Sequence, residues 1–173
     1  MVDKTRLLEG PHFCSLPPVD KVGPNEPITE CIIRQSVKEK ILAIPGFPQP
    51  FVPLDPPRCK ITPMPGAGLG LIATTDIDIG EDIVIERPLL VITAALPGAN
   101  VRGCRPRELQ EVLTNRLSDE RRDDVYALHN CKGYSRPHIT GIIDTNGLNI
   151  GGLPGYEGMC MGLCNIISRA NHR

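Results

Sequence analysis

With 173 residues, 19 basic and 20 acidic side chains and a formal net charge of -1, the chain has the length of one ordinary domain and no excess charge. Aromatic residues make up 3% of the sequence, Trp is absent and no basic block occurs, which argues against direct nucleic-acid binding. No apolar run could span a bilayer and no secretion signal is present, so we expect an intracellular protein of the nucleus, the cytoplasm or both, without membrane contact.

Proline dominates the N-terminal part of the chain, and the sequence carries 18 prolines in all. We therefore expect residues 1–57 to form a proline-rich arm that is largely irregular. The run over residues 44–57 can neither pair as a central strand nor continue a helix, so it predicts an extended linker or a strap across the surface. Within the arm, a loose helical period over residues 29–43 predicts one short helix.

Short β-rich runs follow in residues 58–93, separated by Gly and Pro. The runs predicted as strands read CKIT, GLIATT, DIVIE and LLVIT. Residues 78–81 predict a hairpin turn in which Gly80 supplies a positive φ.

Helical periodicity replaces the β pattern over residues 105–130. A stripe of Leu109, Val112, Leu113 and Leu117 predicts a first helix, and Ser118 is placed to cap a second one. The charged run SDERRDD is typical of a solvated helix start. From residue 139 the sequence predicts a return to short strands, beginning with GIID.

Seven cysteines without a secretion signal favour reduced thiols. The close pair is Cys160 and Cys164, which suggests either zinc or two buried apolar thiols, and without a second short pair the thiol interpretation is favoured. A metal-binding regulator using Cys160, Cys164 and His172 remains a minor hypothesis. The sequence thus predicts no metal site.

A glycine-rich run, PGAGLGLIA, occupies residues 65–73. Glycines without Cβ atoms let peptide groups lie directly against a ligand or another strand. A dinucleotide fingerprint would need Gly where Leu71 stands, and a phosphate loop would need a following Gly-Lys pair. Both interpretations are therefore poor, and an isolated run of this kind is otherwise a turn or bulge.

The order of four elements resembles SET-domain proteins, above all the SET and MYND-like branch common in fungi. These are the glycine run, then DIDIGEDIVIERPLL, then a helical insert that ends in LHN, then SRANHR over residues 168–173. The resemblance covers roughly residues 58–173. The matching residues are Pro65, Gly66, Gly68, Leu69, Gly70, Leu71, Ala73, Asp76, Ile77, Gly80, Glu81, Ile83, Glu86, Pro88, Leu89, Ser168, Arg169, Asn171 and His172.

The resemblance implies an S-adenosylmethionine-dependent protein-lysine N-methyltransferase that acts on a histone or a non-histone lysine. It implies that the methionine end of the cofactor lies against Gly66, Ala67, Gly68 and Leu69. Asn171 would bond the amino group of the cofactor, and the backbone around His172 would hold the adenine. Asn146 would be a residue of the substrate channel or a turn-forming Asn, and Leu148 would replace a channel Phe.

Two departures from the family pattern matter. Ala67 stands where many members have Lys or Arg, which would weaken recognition of the donor carboxylate unless Arg58 or Lys60 substitutes for it. Arg173 stands where the family has Ser, followed by further strands and a tyrosine that orients the target amine. We therefore expect a sequence truncated within the SET domain, without its catalytic tyrosine and inactive by itself.

The resulting expectation is an α+β fold: a partial SET domain over residues 58–173, built from small, mostly antiparallel sheets with a helical insert at about residues 105–130, behind the proline-rich arm. The alternative hypothesis is a non-catalytic SET-like module that offers its proline-rich arm to protein partners and needs no cofactor.

Overall fold

The computed structural model describes residues 11–66, 68–93 and 106–170. These residues form a mixed five-stranded sheet, a separate two-stranded hairpin and four α-helices, with short 3-10 turns between them. In chain order the strands and helices are β1 Pro11–Leu16, β2 Thr29–Arg34, α1 Gln35–Leu42, β3 Cys59–Met64, β4 Gly68–Ala73, β5 Leu90–Thr93, α2 Pro106–Thr114, α3 Asp119–Tyr126, α4 His138–Asn146, β6 Leu148–Ile150 and β7 Cys160–Leu163.

The main sheet has the strand order β1-β2-β5-β7-β6, and β3 and β4 form the hairpin. Strands β2 and β5 are parallel, whereas every other pair is antiparallel. The predicted fold class, α+β with mostly antiparallel strand pairs and a helical insert, is confirmed.

The N-terminal arm is more regular than the sequence suggested. Residues 11–42, predicted to be largely irregular apart from one helix, form β1, β2 and α1. Residues 29–33 are all buried, so β2 is covered on both faces and does not alternate between apolar and polar residues. A short strand of this kind cannot be told from a helix by periodicity, which is why the helix predicted over residues 29–43 begins only at Gln35. Because β2 pairs with β5, the arm and the following region share one sheet.

Two apolar clusters lie on opposite faces of this sheet. Ile32 belongs to the cluster that β5 shares with α2, α3 and α4. Its neighbours Cys31 and Ile33 point the other way, to a cluster that contains Val37 and Ile41 of α1. This alternation along β2 fixes which helices cover which face.

The proline-rich strap has no regular secondary structure over residues 48–57, as predicted. Glu26 and Arg87 hold it on the surface. The Glu26 carboxylate accepts a 2.6 Å hydrogen bond from the Phe51 amide and pairs with Arg87 at 3.0 Å. The Arg87 guanidinium also lies 5.8 Å from the centre of the Phe51 ring and donates to the Gln49 carbonyl at 3.2 Å.

The helical insert largely follows the sequence prediction. Leu109, Leu113 and Leu117 are buried, whereas Val112 is 43% exposed and lies off the apolar stripe. The Ser118 side chain accepts a hydrogen bond from the Arg121 amide at 3.4 Å and caps α3.

Two strand predictions are wrong. DIVIE, residues 82–86, forms no strand, and its Ile83 and Ile85 are 48% and 40% exposed. GIID lies inside α4, where Ile139, Ile142 and Ile143 are buried at helical spacing against the main core. The β-branched residues of α4 suggested a strand, and burial against α2 and α3 selects the helix instead. The predicted turn at residues 78–81 is present, with Gly80 at φ 89°, but no second strand follows it.

None of the described helices is long and apolar enough to cross a membrane.

Candidate functional site

A cleft of about 910 Å³ opens between three parts of the chain. They are the turn of the β3–β4 hairpin, the ends of α3 and α4, and the segment that follows β7. The described residues that line it are Gly66, Gly68, Leu69, Ala127, Leu128, His129, Asn130, His138, Thr145, Asn146, Gly147, Leu148, Ile167, Ser168, Arg169 and Ala170.

Residues far apart in the sequence thus meet in one place. Of the predicted site residues, Gly66, Gly68, Leu69, Asn146 and Leu148 line this cleft. Ala67, Asn171 and His172 lie outside the described residues. The segment 167–170, which immediately precedes the last two of these, forms one wall.

The glycine turn presents bare backbone to the cleft. Gly66 and Gly68 have φ values of 73° and 72°, which side-chain-bearing residues rarely adopt. A Cβ atom added to either glycine would meet no heavy atom within 4 Å. The glycines are therefore needed for the backbone conformation, and the space above them is open to a ligand.

Glu86 fixes the opposite wall. Its carboxylate accepts hydrogen bonds from the amides of Asn165, Ile166 and Ile167, at 3.1, 3.0 and 2.6 Å. Several backbone donors converging on one carboxylate form a rigid, charge-assisted anchor. It holds the short 3-10 helix Ile167–Arg169 at the cleft. We call these three hydrogen bonds the Glu86 clamp.

Asn146 joins the ends of two helices to that wall. Its side-chain nitrogen donates to the carbonyl of His129 at 2.6 Å and to that of Ile142 at 2.8 Å. The Asn146 carbonyl accepts a 3.1 Å hydrogen bond from the Ser168 hydroxyl. Asn146 does not occupy a positive-φ hairpin turn, because it ends α4 and Gly147 follows with a φ of -67°. The side-chain amide hydrogens of Asn146 therefore hold the end of α4 against the segment after α3.

Among the described lining residues the guanidinium is that of Arg169, which matches the family pattern in the sequence but was not predicted as a site residue. Arg169 lines the cleft and donates to the Asn165 side chain at 3.1 Å, and its buried Nε has no hydrogen-bond partner among the described residues. The predicted substitutes for the residue at position 67 lie elsewhere. Arg58 pairs with Glu81 at 2.6 Å, and Arg58 and Lys60 line a second pocket.

His138 and Asn130 complete the wall formed by α3 and α4. The His138 ring stacks on Tyr126, with ring centres 6.0 Å apart and planes 7° from parallel. Asn130 donates to the His138 carbonyl at 3.4 Å and lies against Gly141, where a Cβ atom would collide with it. No sequence pattern pairs His138 with Asn130, because their contact depends on how the segment after α3 packs against α4.

The tyrosines do not line the cleft, although Tyr126 stacks on His138, which does. All three tyrosines of the chain are described residues, and none of them lines it. Tyr126 and Tyr134 are 43% and 108% exposed, and Tyr156 packs against the α1 cluster. The cleft as described therefore has no phenol with which to orient a substrate amine.

The six described cysteines are free thiols. Cys160 and Cys164 are both buried, and burial raises the pKa of Cys164 to about 12, with a further contribution from the Glu86 carboxylate. The described residues contain no group of three or more His, Cys, Asp or Glu side chains that could hold a metal ion.

The fold and the cleft together define an α+β protein with a ligand-sized cavity between a glycine hairpin and two helix ends. No family model, curated protein or solved structure matches the chain.

Proposed function

We propose that this chain binds S-adenosylmethionine in the cleft and contributes the donor-binding part of a SET-type protein-lysine N-methyltransferase. One observation carries the proposal. The glycine turn, Asn146 at the end of α4, Leu148 at the start of β6 and the SRANHR segment were singled out from the sequence, and their described residues surround one cavity.

The chemistry of the cleft suits this donor. Methyl transfer to a lysine is an in-line displacement in which the bond from methyl carbon to sulfur breaks and a bond to the amine nitrogen forms. The protein has to position the two partners and exclude water, and it needs neither a metal nor a covalent intermediate. The exposed backbone at Gly66 and Gly68 allows close approach of the methionine end. Arg169, whose Nε has no partner in the described part of the chain, supplies positive charge for a carboxylate.

The proposal separates binding from transfer. No tyrosine hydroxyl lines the cleft, so the 173-residue chain should bind the donor without methylating lysine. The acceptor in the proposed reaction is a lysine of a histone or another protein. Detectable donor-dependent methylation of a lysine-rich protein by this chain would contradict the second half of the proposal.

The donor-binding half can be tested by titration calorimetry with S-adenosylmethionine, with ATP as a control for general nucleotide affinity. Ala170→Trp fills the cleft from a residue that lines it, and Ala43→Trp adds the same ring at an exposed position beyond α1. We expect saturable binding by the wild type, a loss of at least about tenfold in Ala170→Trp and no change in Ala43→Trp. Absence of wild-type binding, or equal affinity in both variants, would refute the assignment.

A non-catalytic interaction module is the second candidate. The observation that favours it is an apolar groove of about 230 Å³ beside the strap, lined in part by Pro53, Leu54, Ile83, Ile85 and Ile166. Such a module needs no cofactor, so failure of the wild type to bind S-adenosylmethionine would favour this function.

A further inference from the structure

Cys14 and Cys31 are direct partners in the antiparallel ladder of β1 and β2. Cα atoms of such partners lie about 4.5–5.5 Å apart, which falls inside the range of about 4.4–6.8 Å that disulfides span. Both side chains project to the same face of the sheet and are buried there, 4% and 1% exposed, in the cluster covered by α1. The backbone therefore already holds the two sulfurs in bonding register, and neither residue lines the cleft.

The surroundings shift the pKa values of the two thiols in opposite directions. Hydrogen bonding from Cys31 lowers the pKa of Cys14 and outweighs its burial, and Lys38 and Arg116 lower it further against the opposing charge of Glu30. The pKa of Cys31 is raised well above its ordinary value by the same contact with Cys14 and by burial. Cys14 is therefore the thiol of the pair that loses its proton more readily and is the better nucleophile.

By contrast, burial raises the pKa of Cys59, Cys160 and Cys164. None of these three has a cysteine opposite it in the described sheets. Cys160 faces Thr93 on one side and Ile150 on the other, and Cys59 faces Ala73.

We propose that Cys14 and Cys31 form a peroxide-sensitive dithiol that closes to a disulfide and fastens the edge strand β1 to β2. The Cys14 thiolate attacks one oxygen of a hydroperoxide, the O–O bond breaks, and Cys14 becomes a sulfenic acid while the other oxygen leaves and takes up a proton. The Cys31 sulfur then attacks the Cys14 sulfur, the S–O bond breaks, and water leaves with the Cys31 proton. The two sulfurs together lose two electrons, and the peroxide gains them.

Access follows from the position of β1, which is an edge strand in the described sheet. Edge strands open locally more readily than central ones, and hydrogen peroxide is small enough to use such openings. Once closed, the disulfide restricts the unfolded chain between residues 14 and 31. For a loop of this length we expect the unfolding temperature to rise by roughly 5–10 °C.

The test treats the full, reduced chain with a few molar equivalents of hydrogen peroxide, blocks the remaining thiols and maps the peptides without reduction. We expect a peptide pair joined through Cys14 and Cys31 that is lighter by two hydrogens, and a rise in unfolding temperature that dithiothreitol reverses. Cys14→Ser, and Cys14→Ala as a second variant, should abolish both effects. Cys160→Ser, a change at a buried thiol without an opposite cysteine, should leave them intact.

Different results would refute the dithiol itself and the fastening of β1. The proposal is overturned if Cys14 and Cys31 remain free after the exposed Cys131 has been oxidised, or if the main product joins another pair of cysteines. A disulfide between Cys14 and Cys31 that leaves the unfolding temperature unchanged would refute the fastening of β1.

Discussion

Removal of the Glu86 carboxylate should release one wall of the cleft without unfolding the sheet. In Glu86→Ala the three amides of the Glu86 clamp lose their acceptor. Hydrogen bonds to a charged group contribute about 1.5–3 kcal/mol each, but they do not add fully and water reaches this half-buried site. We therefore expect a local loss of about 3 kcal/mol. Glu86→Gln keeps one acceptor oxygen and should lose about half as much.

Hydrogen exchange at the amides of Asn165, Ile166 and Ile167 measures this loss directly. A loss of about 3 kcal/mol corresponds to a roughly 150-fold faster local opening, and the Gln variant should accelerate opening about tenfold. Amides of β7 serve as an internal reference for global unfolding. Asp82→Asn removes an exposed carboxylate from the same connection and is the matched control, with no expected change.

Unchanged exchange at the three amides in Glu86→Ala would refute the Glu86 clamp. Equal acceleration of these amides and of β7 would show instead that Glu86 stabilises the whole fold. If the proposed function is also correct, Glu86→Gln should weaken S-adenosylmethionine binding with little change in the unfolding temperature, because the wall loses its fixed position while the core stays packed.

Three further results are expected. Arg116→Ala should lower the free energy of unfolding, measured in urea, by about 1–3 kcal/mol. The reason is that Glu30, whose side chain is 7% exposed, loses a 2.6 Å ion pair. Glu30→Gln in the same background should recover part of this loss, and no recovery would contradict the reasoning. Asn146→Ala should cost about 2 kcal/mol, since two carbonyls lose their donor, and an unchanged unfolding midpoint would argue against its positioning role. The pKa of Glu81 should lie below its ordinary value of 4.5, because Arg58 and then the Asp78 amide bond its charged form. The stability that Glu81 provides is therefore complete above that ordinary pKa and lost as the pH falls through the lowered one. In an NMR titration Arg58→Gln should move the Glu81 midpoint upward, and an unmoved midpoint would rule out this cause.

Several elements could be predicted from the sequence because they depend on interactions between neighbouring residues. Ser118 is a cap because its hydroxyl accepts from an amide three residues on, and the apolar stripe at Leu109, Leu113 and Leu117 repeats at helical spacing. Gly80 adopts a positive φ, and the proline-rich strap stays irregular because proline lacks an amide donor. Each of these features depends on residues close together in the chain.

Other features depended on neighbours that the sequence does not reveal. Strand β2 was predicted as part of a helix because it is buried on both faces and shows no alternation. The GIID part of α4 was predicted as a strand because its residues are β-branched, and packing against α2 and α3 makes it helical. Five of the residues that line the cleft could be chosen from sequence motifs. The sequence could not predict that they meet in one cleft, that Glu86 forms its clamp, or that Arg169 and His138 contribute to the walls. The sequence determined the local conformations of caps, turns and stripes, whereas the tertiary structure decided which distant groups face one another, because that choice depends on the burial and pairing of the whole sheet.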